Sequence, residues 1–478
     1  MSNPSSASHT SPFTGTSLPR GTPFWIVDGV AYDFSAWMKR HPGGAIWFRY
    51  SQGRDISAIF HVYHRDPERL RKILVKYRID GFGEKDVLPK MGIPPFLLAP
   101  DFDASKDIPK LELDGEGTLL NALRGNVASK LSEKVLCRYD LAFDMAMLLI
   151  ALAHATTLLA IATGWLAAWA CVFVFLITRT ALAGAGHYYV HRKKRDGGGN
   201  TVPQLGQALF DINYVGTCLT AMDGHVLLHH GHMGTGADVK RTFFDGMLRL
   251  HPLLRIPGYT LHKLGMSIIG VVIRGFEITF FERDQGIFRL DFWFIRIWLL
   301  VELAVCVASG HLLAWLAQFC LCLWFNTFLV LSSHGFEDQD DAARIAKLPA
   351  RLRNDWAARH ICLSYDLCIV GNRWVDVLLT AGLSPHRVHH VLPAQRSGFA
   401  NIASESAVRE SCIEAGIDWE RPRNVLTERI PAVIKHYLLA PPKRRQSPAS
   451  PSASPSWLAR ELGEFTRYCF DGWRGLGI

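Results

Sequence analysis

HYYVH at residues 187–191 is the first of three histidine-rich segments that decide the fold of this chain; HVLLHH at 225–230 and HRVHH at 386–390 are the others. Together they hold eight of the 20 histidines. Within each segment histidines stand three or four residues apart, so that on a helix they share one face. Neutral imidazole is a common ligand of redox transition metals. The segments therefore predict a histidine-rich site for two metal ions.

Long apolar stretches precede the first histidine-rich segment and separate the second from the third. The chain has 478 residues and is 49% hydrophobic. A helix needs roughly 17–25 predominantly apolar residues to cross a bilayer. Four stretches meet this length: residues 141–164, 165–183, 292–309 and 311–332. We therefore expect four membrane-spanning helices.

An even number of spans would place all three histidine-rich segments on one side of the membrane. Basic runs accompany them, HRKKR at 191–195 and PKRR at 442–445, and the positive-inside rule assigns such runs to the cytosol. The net charge of +9 favours a surface beside anionic lipids over nucleic-acid binding. We expect a multi-pass protein of the endoplasmic reticulum membrane whose histidines face the cytosol.

A separate domain precedes the membrane segments. FWIVDGVAYDFSAWMKRHPGG, residues 24–44, contains an alternating apolar run, a hairpin turn at Asp28-Gly29 and a short helix that ends at HPGG. This region resembles the cytochrome b5 family over about residues 22–83. The resemblance implies haem b with His41 and His64 as axial ligands. His61 competes for the second place, but the spacing of His64 from Asp55 and the Arg-Asp-Pro after it match fused versions of this domain.

The expected fold is an α+β cytochrome b5-like haem domain followed by an all-α membrane domain, in which four transmembrane helices are joined by cytosolic helices that carry the histidines. The expected segments are a polar leader (1–21), the haem domain (22–83), a proline-rich linker with an amphipathic helix over 118–137 (84–139), the membrane domain (140–440), a disordered linker (441–456) and an interfacial helix (457–478).

The three segments together resemble the histidine boxes of the membrane fatty acid desaturase and hydroxylase superfamily, which bind two irons at the cytosolic mouth of four membrane helices. The haem domain and the stretches 382–393 and 399–419 are most similar to the front-end desaturases. The resemblance also implies a ligand in SSHGFE at 332–337. The implied ligands of the two iron ions are His187, His191, His225, His229, His230, His334, His386, His389 and His390.

Two features depart from that subgroup. The third box begins with His386 where the front-end enzymes usually have glutamine, so the position of a double bond does not follow. The second box continues as GHMGTG, residues 231–236. This leaves His232 open as a ligand, as an outer partner of a ligand or as a residue with no role. His154 and His311 have no counterpart and are expected to be structural.

The implied chemistry is oxidative, because removing hydrogen from an unactivated methylene needs dioxygen reduced at the metal. Haem would supply two electrons one at a time. A separate NADH-dependent cytochrome b5 reductase would refill it, since no GxGxxG turn marks a nicotinamide site in this chain. Asp223, Asp238 or Glu337 could orient the imidazoles.

The expected activity is O2-dependent desaturation of a lipid acyl chain. A second hypothesis is hydroxylation or acetylenic bond formation at the same di-iron centre, on an acyl chain, a sphingolipid or a natural-product lipid. A third, from another class, is a haem-bearing membrane electron carrier without substrate chemistry, whose histidines hold zinc.

Overall fold

The computed structural model describes residues 23–53, 55–64, 67–79, 109–113, 115, 117–192, 202, 205–206, 209, 225–227, 229–235, 238, 246–265, 289–335, 341–443 and 456–473. The expected leader, residues 84–108 of the first expected linker and residues 444–455 of the second lie outside these residues.

The N-terminal domain, residues 23–79, begins with a two-stranded antiparallel sheet. Strands β1 (Trp25–Val27) and β2 (Val30–Tyr32) pair with Trp25 opposite Tyr32. Asp28 and Gly29 take φ values of 51° and 78°, as a two-residue hairpin turn requires. Short helices follow: α1 (Ser35–Met38), α2 (Ile46–Ser51), α3 (Ser57–Tyr63) and α4 (Pro67–Leu74), with a 3-10 turn at Val75–Tyr77.

Aromatic side chains form the core of this domain. Trp25, Phe34 and Phe48 are buried with ring centroids 5.3–5.7 Å apart, and the indole nitrogen of Trp25 donates to the Phe48 carbonyl at 2.9 Å. A domain this small has little core, so each buried aromatic ring contributes a large share of the apolar area.

The remainder of the described chain is mostly helical. Its first helices are α5 (Leu119–Lys130), α6 (Glu133–Ala162), α7 (Ala168–Tyr189), α8 (Pro252–Gly265), α9 (Arg289–Ala308) and α10 (Leu312–His334). The later helices are α11 (Asp341–Ala346), α12 (Trp356–Leu363), α13 (Arg373–Leu379), α14 (His386–Val391), α15 (Gly398–Glu414), α16 (Ile430–Val433) and α17 (Trp457–Trp473). A two-residue parallel pair joins β3 (Leu367–Cys368) to β4 (Arg423–Asn424).

The amphipathic helix expected over 118–137 is two helices instead of one. Helix α5 ends at Lys130, and Ser132 caps a new helix by accepting a hydrogen bond from the Val135 backbone at 3.4 Å. Residues 133–137 are therefore the first turns of the long helix α6. The prediction of one continuous helix over 118–137 was wrong because the Ser132 cap starts a new helix although the apolar pattern continues.

Among the described residues, three helices are apolar over a length sufficient to cross a bilayer: α6, α7 and α10. A shorter apolar stretch, Ile297–Ala308, belongs to α9. Large apolar side chains on these helices face outward, with Leu149 63% exposed, Phe173 66% and Leu313 72%. Such a surface is stable in hydrocarbon and not in water.

A polar cluster lies buried between these four helices. Glu302 on α9 contacts the His154 Nε2 on α6 at 2.7 Å and the Arg179 guanidinium on α7, which donates to Gln318 of α10 at 2.9 Å. All four side chains are buried. The cluster gives His154 the structural role expected from the sequence, because it fixes how the helices pack.

The C-terminal helix α17 lies within residues 457–478, where the sequence predicts an interfacial helix, and it packs along α8. His262 of α8 donates from Nδ1 to the Tyr468 carbonyl at 2.7 Å, and the two rings stack with centroids 4.5 Å apart. Trp457, Leu458 and Phe470 remain exposed on its other side.

Candidate metal centre

Five histidines from all three boxes converge at the end of α7, and we call them the first cluster: His187, His191, His225, His230 and His389. Each offers a ring nitrogen, and these nitrogens all lie within 4.8 Å of one another. All five side chains are buried. The separation suits a single metal ion among them, since a metal–imidazole bond is about 2 Å long.

Three more histidines meet beside the first cluster, and with an adjoining fourth we call them the second cluster: His229, His334, His390 and His386. The ligand atoms of the first three lie within 4.8 Å of one another. His386 adjoins them, with its Nε2 3.1 Å from the His390 Nε2. The rings of His230 and His390 stack at 4.4 Å across the two clusters. The structure thus brings all nine implied ligands into two neighbouring groups.

The ring nitrogens in these clusters fit metal ions. Within the described part of the chain, both nitrogens of His230 and both of His389 lack a hydrogen-bond partner although they are fully enclosed. An unsatisfied buried polar atom costs about 1–3 kcal/mol, so several together destabilise the fold unless an ion binds them. Burial lowers the pKa of His191 and of His386 to about 3, which leaves neutral imidazoles with a free lone pair.

Asp238 orients a histidine of the second cluster. Its Oδ1 accepts a hydrogen bond from the His229 Nδ1 at 2.9 Å, and both side chains are buried. A tight turn after the second box carries Asp238 back, with the Asp238 backbone donating to the Thr235 carbonyl at 3.0 Å. The His229 Nε2 is left to face the His334 Nε2 at 3.1 Å. Of the three carboxylates that the sequence offers for orienting the imidazoles, Asp238 is described, and it contacts a clustered histidine.

Backbone contacts hold the third box against α7. Gly184, one turn before His187, lies so close to Ala381 that a side-chain carbon there would come within 2.6 Å of the Ala381 carbonyl carbon. Asp366 accepts the Arg387 backbone N–H at 2.9 Å at the start of α14. A side chain larger than hydrogen at position 184 would push the first and third boxes apart.

The first box is fixed by the residue that follows it. Arg192 makes a bidentate pair with Asp144 of α6 at 2.7 and 2.9 Å, and its Nε donates to the Arg396 carbonyl at 2.7 Å. Because His191 precedes Arg192 directly, this pair ties the end of α7 to the chain beyond the third box.

The N-terminal domain contains the second candidate site. The rings of His41 and His64 face each other with centroids 6.0 Å apart, which leaves room for one iron between two metal–nitrogen bonds of about 2 Å. His64 donates from Nδ1 to the Phe60 carbonyl at 2.8 Å, and the His41 Nδ1 lies 3.3 Å from the Gly44 carbonyl. Because the Nδ1 of each ring contacts a backbone carbonyl, the two Nε2 atoms are the nitrogens that could hold haem iron.

His61 has a different partner. Its Nε2 lies 2.7 Å from the Asp28 carboxylate in the hairpin turn, and its side chain is buried. The geometry therefore favours His64 as the ring that faces His41. Gly43 permits the arrangement, since a side-chain carbon there would lie 2.7 Å from the Cε1 of His41.

Comparison with known families agrees with both sites. Residues 163–398 match the family model "Fatty acid desaturase", and residues 17–81 match "Cytochrome b5-like Heme/Steroid binding domain". Residues 163–398 are thus similar to the fatty acid desaturase family, and we call them the desaturase domain. The desaturase domain contains both histidine clusters, and the cytochrome b5-like domain contains His41 and His64. The two matches imply iron and haem, respectively.

Individual relatives are more distant. A "Cytochrome b5-related protein" of Drosophila melanogaster is 21% identical in an alignment 398 positions long, which covers 78% of this chain and 79% of that protein. "Delta(5) fatty acid desaturase A" of Dictyostelium discoideum is 38% identical and "Acyl-lipid omega-13 desaturase" of Chlamydomonas reinhardtii 32% identical, each over 56 residues. Those 56 residues are 12% of this chain and 12% of each desaturase. No solved structure matches.

Two contacts of the desaturase domain had no signal in the sequence. The Nδ1 of buried His360 lies 3.2 Å from the Nδ1 of His390, and Tyr63 of the cytochrome b5-like domain contacts His191. His360 stands alone in AARHICL, and a lone histidine on an apolar helix face carries no metal-site spacing. Asp223 and Glu337, named as alternatives to Asp238, lie outside the described residues.

His232 belongs to neither cluster. Burial lowers its pKa, and the carboxylates of Asp55 and Asp238 oppose that shift. Asp55 belongs to the cytochrome b5-like domain, so His232 lies on the side of the centre where the two domains meet.

Proposed function

We propose that this chain is an O2-dependent desaturase of lipid acyl chains, with two iron ions held by the nine clustered histidines and electrons delivered from haem b bound between His41 and His64. The observation that carries the proposal is the convergence of the three boxes and His334 into two adjoining groups, with unpartnered nitrogens in a domain of the desaturase family.

The reaction removes one hydrogen from each of two neighbouring methylene groups. With one O2, two electrons and two protons, it yields one C=C bond and two water molecules. Iron supplies the oxidising power when bound. The chain's own residues hold the imidazoles neutral, exclude water from the clusters by burial and fix ring orientation through contacts such as Asp238 with His229.

The proposed topology has four spans, with α9 as the fourth beside α6, α7 and α10. Helix α7 has His187 in its last turn, and α10 ends at His334. The C-terminal ends of both helices therefore lie at the metal centre, so the two helices run in the same direction. Four spans would place both ends of the desaturase domain and the cytochrome b5-like domain on one face. We assign that face to the cytosol of the endoplasmic reticulum, where an NADH-dependent cytochrome b5 reductase would reduce the haem.

The acyl chain would lie between the helices below the clusters, since only an apolar passage can hold a methylene chain. Trp165, Trp169 and Phe173 face outward and are more than half exposed, which favours contact with lipid for these three. Phe175 is buried and Phe328 packs in the same core cluster, so these rings are better candidates for the passage.

Front-end regiochemistry remains part of the proposal. His386, in place of the usual glutamine, lies against His390 and 4.6 Å from the His334 ring. The names of the two matched desaturases count the double bond from opposite ends of the acyl chain, so they do not fix its position here, and the position is to be measured.

The test is a lipid profile, by gas chromatography with mass spectrometry, of yeast that expresses this chain or its His389→Ala variant. We expect a new acyl chain two mass units lighter than a host or fed lipid, absent in the variant. A product sixteen units heavier would instead make the chain a hydroxylase. A zinc-filled protein that makes no product and consumes no O2 with lipid would make it an electron carrier.

A further inference from the structure

Tyr63 is the point at which the cytochrome b5-like domain touches the metal centre. Its hydroxyl lies 2.6 Å from the Nδ1 of His191, and the two rings are nearly parallel with centroids 6.5 Å apart. Both side chains are buried. Tyr63 also immediately precedes His64, the residue that faces His41.

The domains are held together around this contact. Arg124 of α5 donates to the carbonyls of His61 and Val62 at 2.6 Å each, which anchors the last turn of α3. Helix α3 also packs against the short turn His230–His232 in the second box. The cytochrome b5-like domain is therefore docked on the centre in a defined orientation, and the contact does not depend on chance collisions of a tethered domain.

The hydrogen bond has a preferred direction. A histidine that binds a metal through one nitrogen carries its proton on the other. In the described residues the Nε2 of His191 has no hydrogen-bond partner, whereas its Nδ1 lies beside Tyr63. With the metal at Nε2, the Nδ1–H donates to the Tyr63 oxygen, which fixes the tautomer and orientation of the His191 ring.

We propose that Tyr63 is a positioning residue for His191 and the contact that couples electron transfer from the haem site to the metal centre. This inference rests on the proposed function and deepens it. With haem held by His41 and His64 and iron held by the clustered histidines, each transfer would oxidise one ferrous haem to ferric and reduce one ferric ion of the metal centre to ferrous. No proton or bond would change place, and the proposed NADH-dependent cytochrome b5 reductase would reduce the haem again.

Two variants of the full-length protein distinguish the effect of the Tyr63 hydroxyl from the effect of its ring. Tyr63→Phe retains the ring and removes the hydrogen bond, whereas Tyr63→Leu removes both. The matched control is Tyr77→Phe, because Tyr77 belongs to the same domain but packs against Phe34 and Trp37. The visible spectrum of the haem and the rate at which added ferricyanide oxidises it should be unchanged in all three variants.

The first readout is iron retention during dialysis against a chelator. Loss of an outer hydrogen-bond partner costs about 10–100-fold in metal affinity, so Tyr63→Phe should release part of its iron at correspondingly lower chelator concentration, and Tyr77→Phe should match the wild type. Wild-type retention in Tyr63→Phe would overturn the positioning role.

The second readout is the rate at which photoreduced haem is reoxidised by the ferric metal centre without O2 or lipid. We expect a slowing of about 10–100-fold in Tyr63→Leu. A wild-type rate in that variant would overturn the coupling role. A separate experiment tests the proposed function itself. The metal centre of the wild-type protein is reduced chemically and then supplied with lipid and O2. If no desaturated lipid forms, the proposed function fails, whatever the two Tyr63 readouts give.

Discussion

The first and second clusters use the same side chain but take their outer hydrogen bonds from different parts of the molecule. In the second cluster Asp238 binds His229 and His360 contacts His390, so that both outer partners belong to the desaturase domain. In the first cluster the outer partner of His191 is Tyr63, from the cytochrome b5-like domain. The difference teaches that, among the described residues, the outer partners of the second cluster come from its own domain, whereas His191 of the first cluster takes its partner from the cytochrome b5-like domain.

The largest expected effect tests whether the clusters and the His41–His64 pair are separate sites at all. His389→Ala should remove iron from the first cluster and leave the haem spectrum intact, while His41→Ala should lose the spectrum and keep its non-haem iron. Each variant loses a ligand that the other site does not use. Iron and haem counted per purified chain give the answer. Full non-haem iron in His389→Ala would break the comparison.

A smaller effect is expected from Asp238→Asn, which removes the negative charge beside His229 but retains the size of the side chain. We expect the affinity for one of two iron ions to fall by about 10–100-fold, with the other ion retained. Chelator titration with iron analysis measures this. Simultaneous loss of both ions would mean that the clusters are one site, and the distinction between them would fail.

His262 isolates the effect of burial on a histidine outside the clusters. Burial lowers its pKa from 6.5 to about 3, so the unfolded chain takes up a proton before the folded one does. The free energy of unfolding is therefore unaffected by this histidine above about pH 6.5, and it decreases as the pH falls from 6.5 toward 3. At pH 5 the loss is about 2 kcal/mol.

Hydrogen exchange of α17 at pH 7.5 and pH 5 measures this loss, because His262 binds the Tyr468 carbonyl of that helix. His262→Gln, which cannot take up a proton, should flatten the pH dependence. Equal protection of α17 at both pH values in the wild type would contradict the prediction.

The smallest effect is expected from His360→Phe. The variant retains an aromatic ring beside Trp356, whose ring lies 4.0 Å away, and removes only the contact with His390. One hydrogen bond contributes about 1 kcal/mol, so iron affinity should fall about fivefold, less than in Asp238→Asn. An effect as large as that of Asp238→Asn would make His360 a ligand and not an outer partner.

The sequence predicts the histidines well because their spacing is a property of helices. His187 and His191 lie four residues apart at the end of α7, and His386, His389 and His390 share a face of α14. Such spacing is set within a single helix, so it does not depend on how the rest of the chain packs. The hairpin turn at Asp28-Gly29 was predicted for the same reason and is confirmed.

Contacts between distant parts of the chain could not be predicted in this way. Tyr63 and His191 are 128 residues apart, and His360 and His390 are 30 apart on different helices. Neither pair leaves a periodic signal. The sequence prefers His64 to His61 from its spacing to Asp55, but the partner of His61 could not be predicted: it is Asp28, in the hairpin of the first strands.

The buried contact of Glu302 with Arg179 and His154 has a consequence for how the protein enters the membrane. A carboxylate at the centre of an apolar helix is costly to transfer into hydrocarbon by itself. Helices α6 and α7 are synthesised first and already carry His154 and Arg179. In the proposed four-span topology, helix α9 would then leave the translocation channel when a residue of opposite charge is already in the bilayer, so the order of synthesis would match the order in which the bilayer can accept the helices.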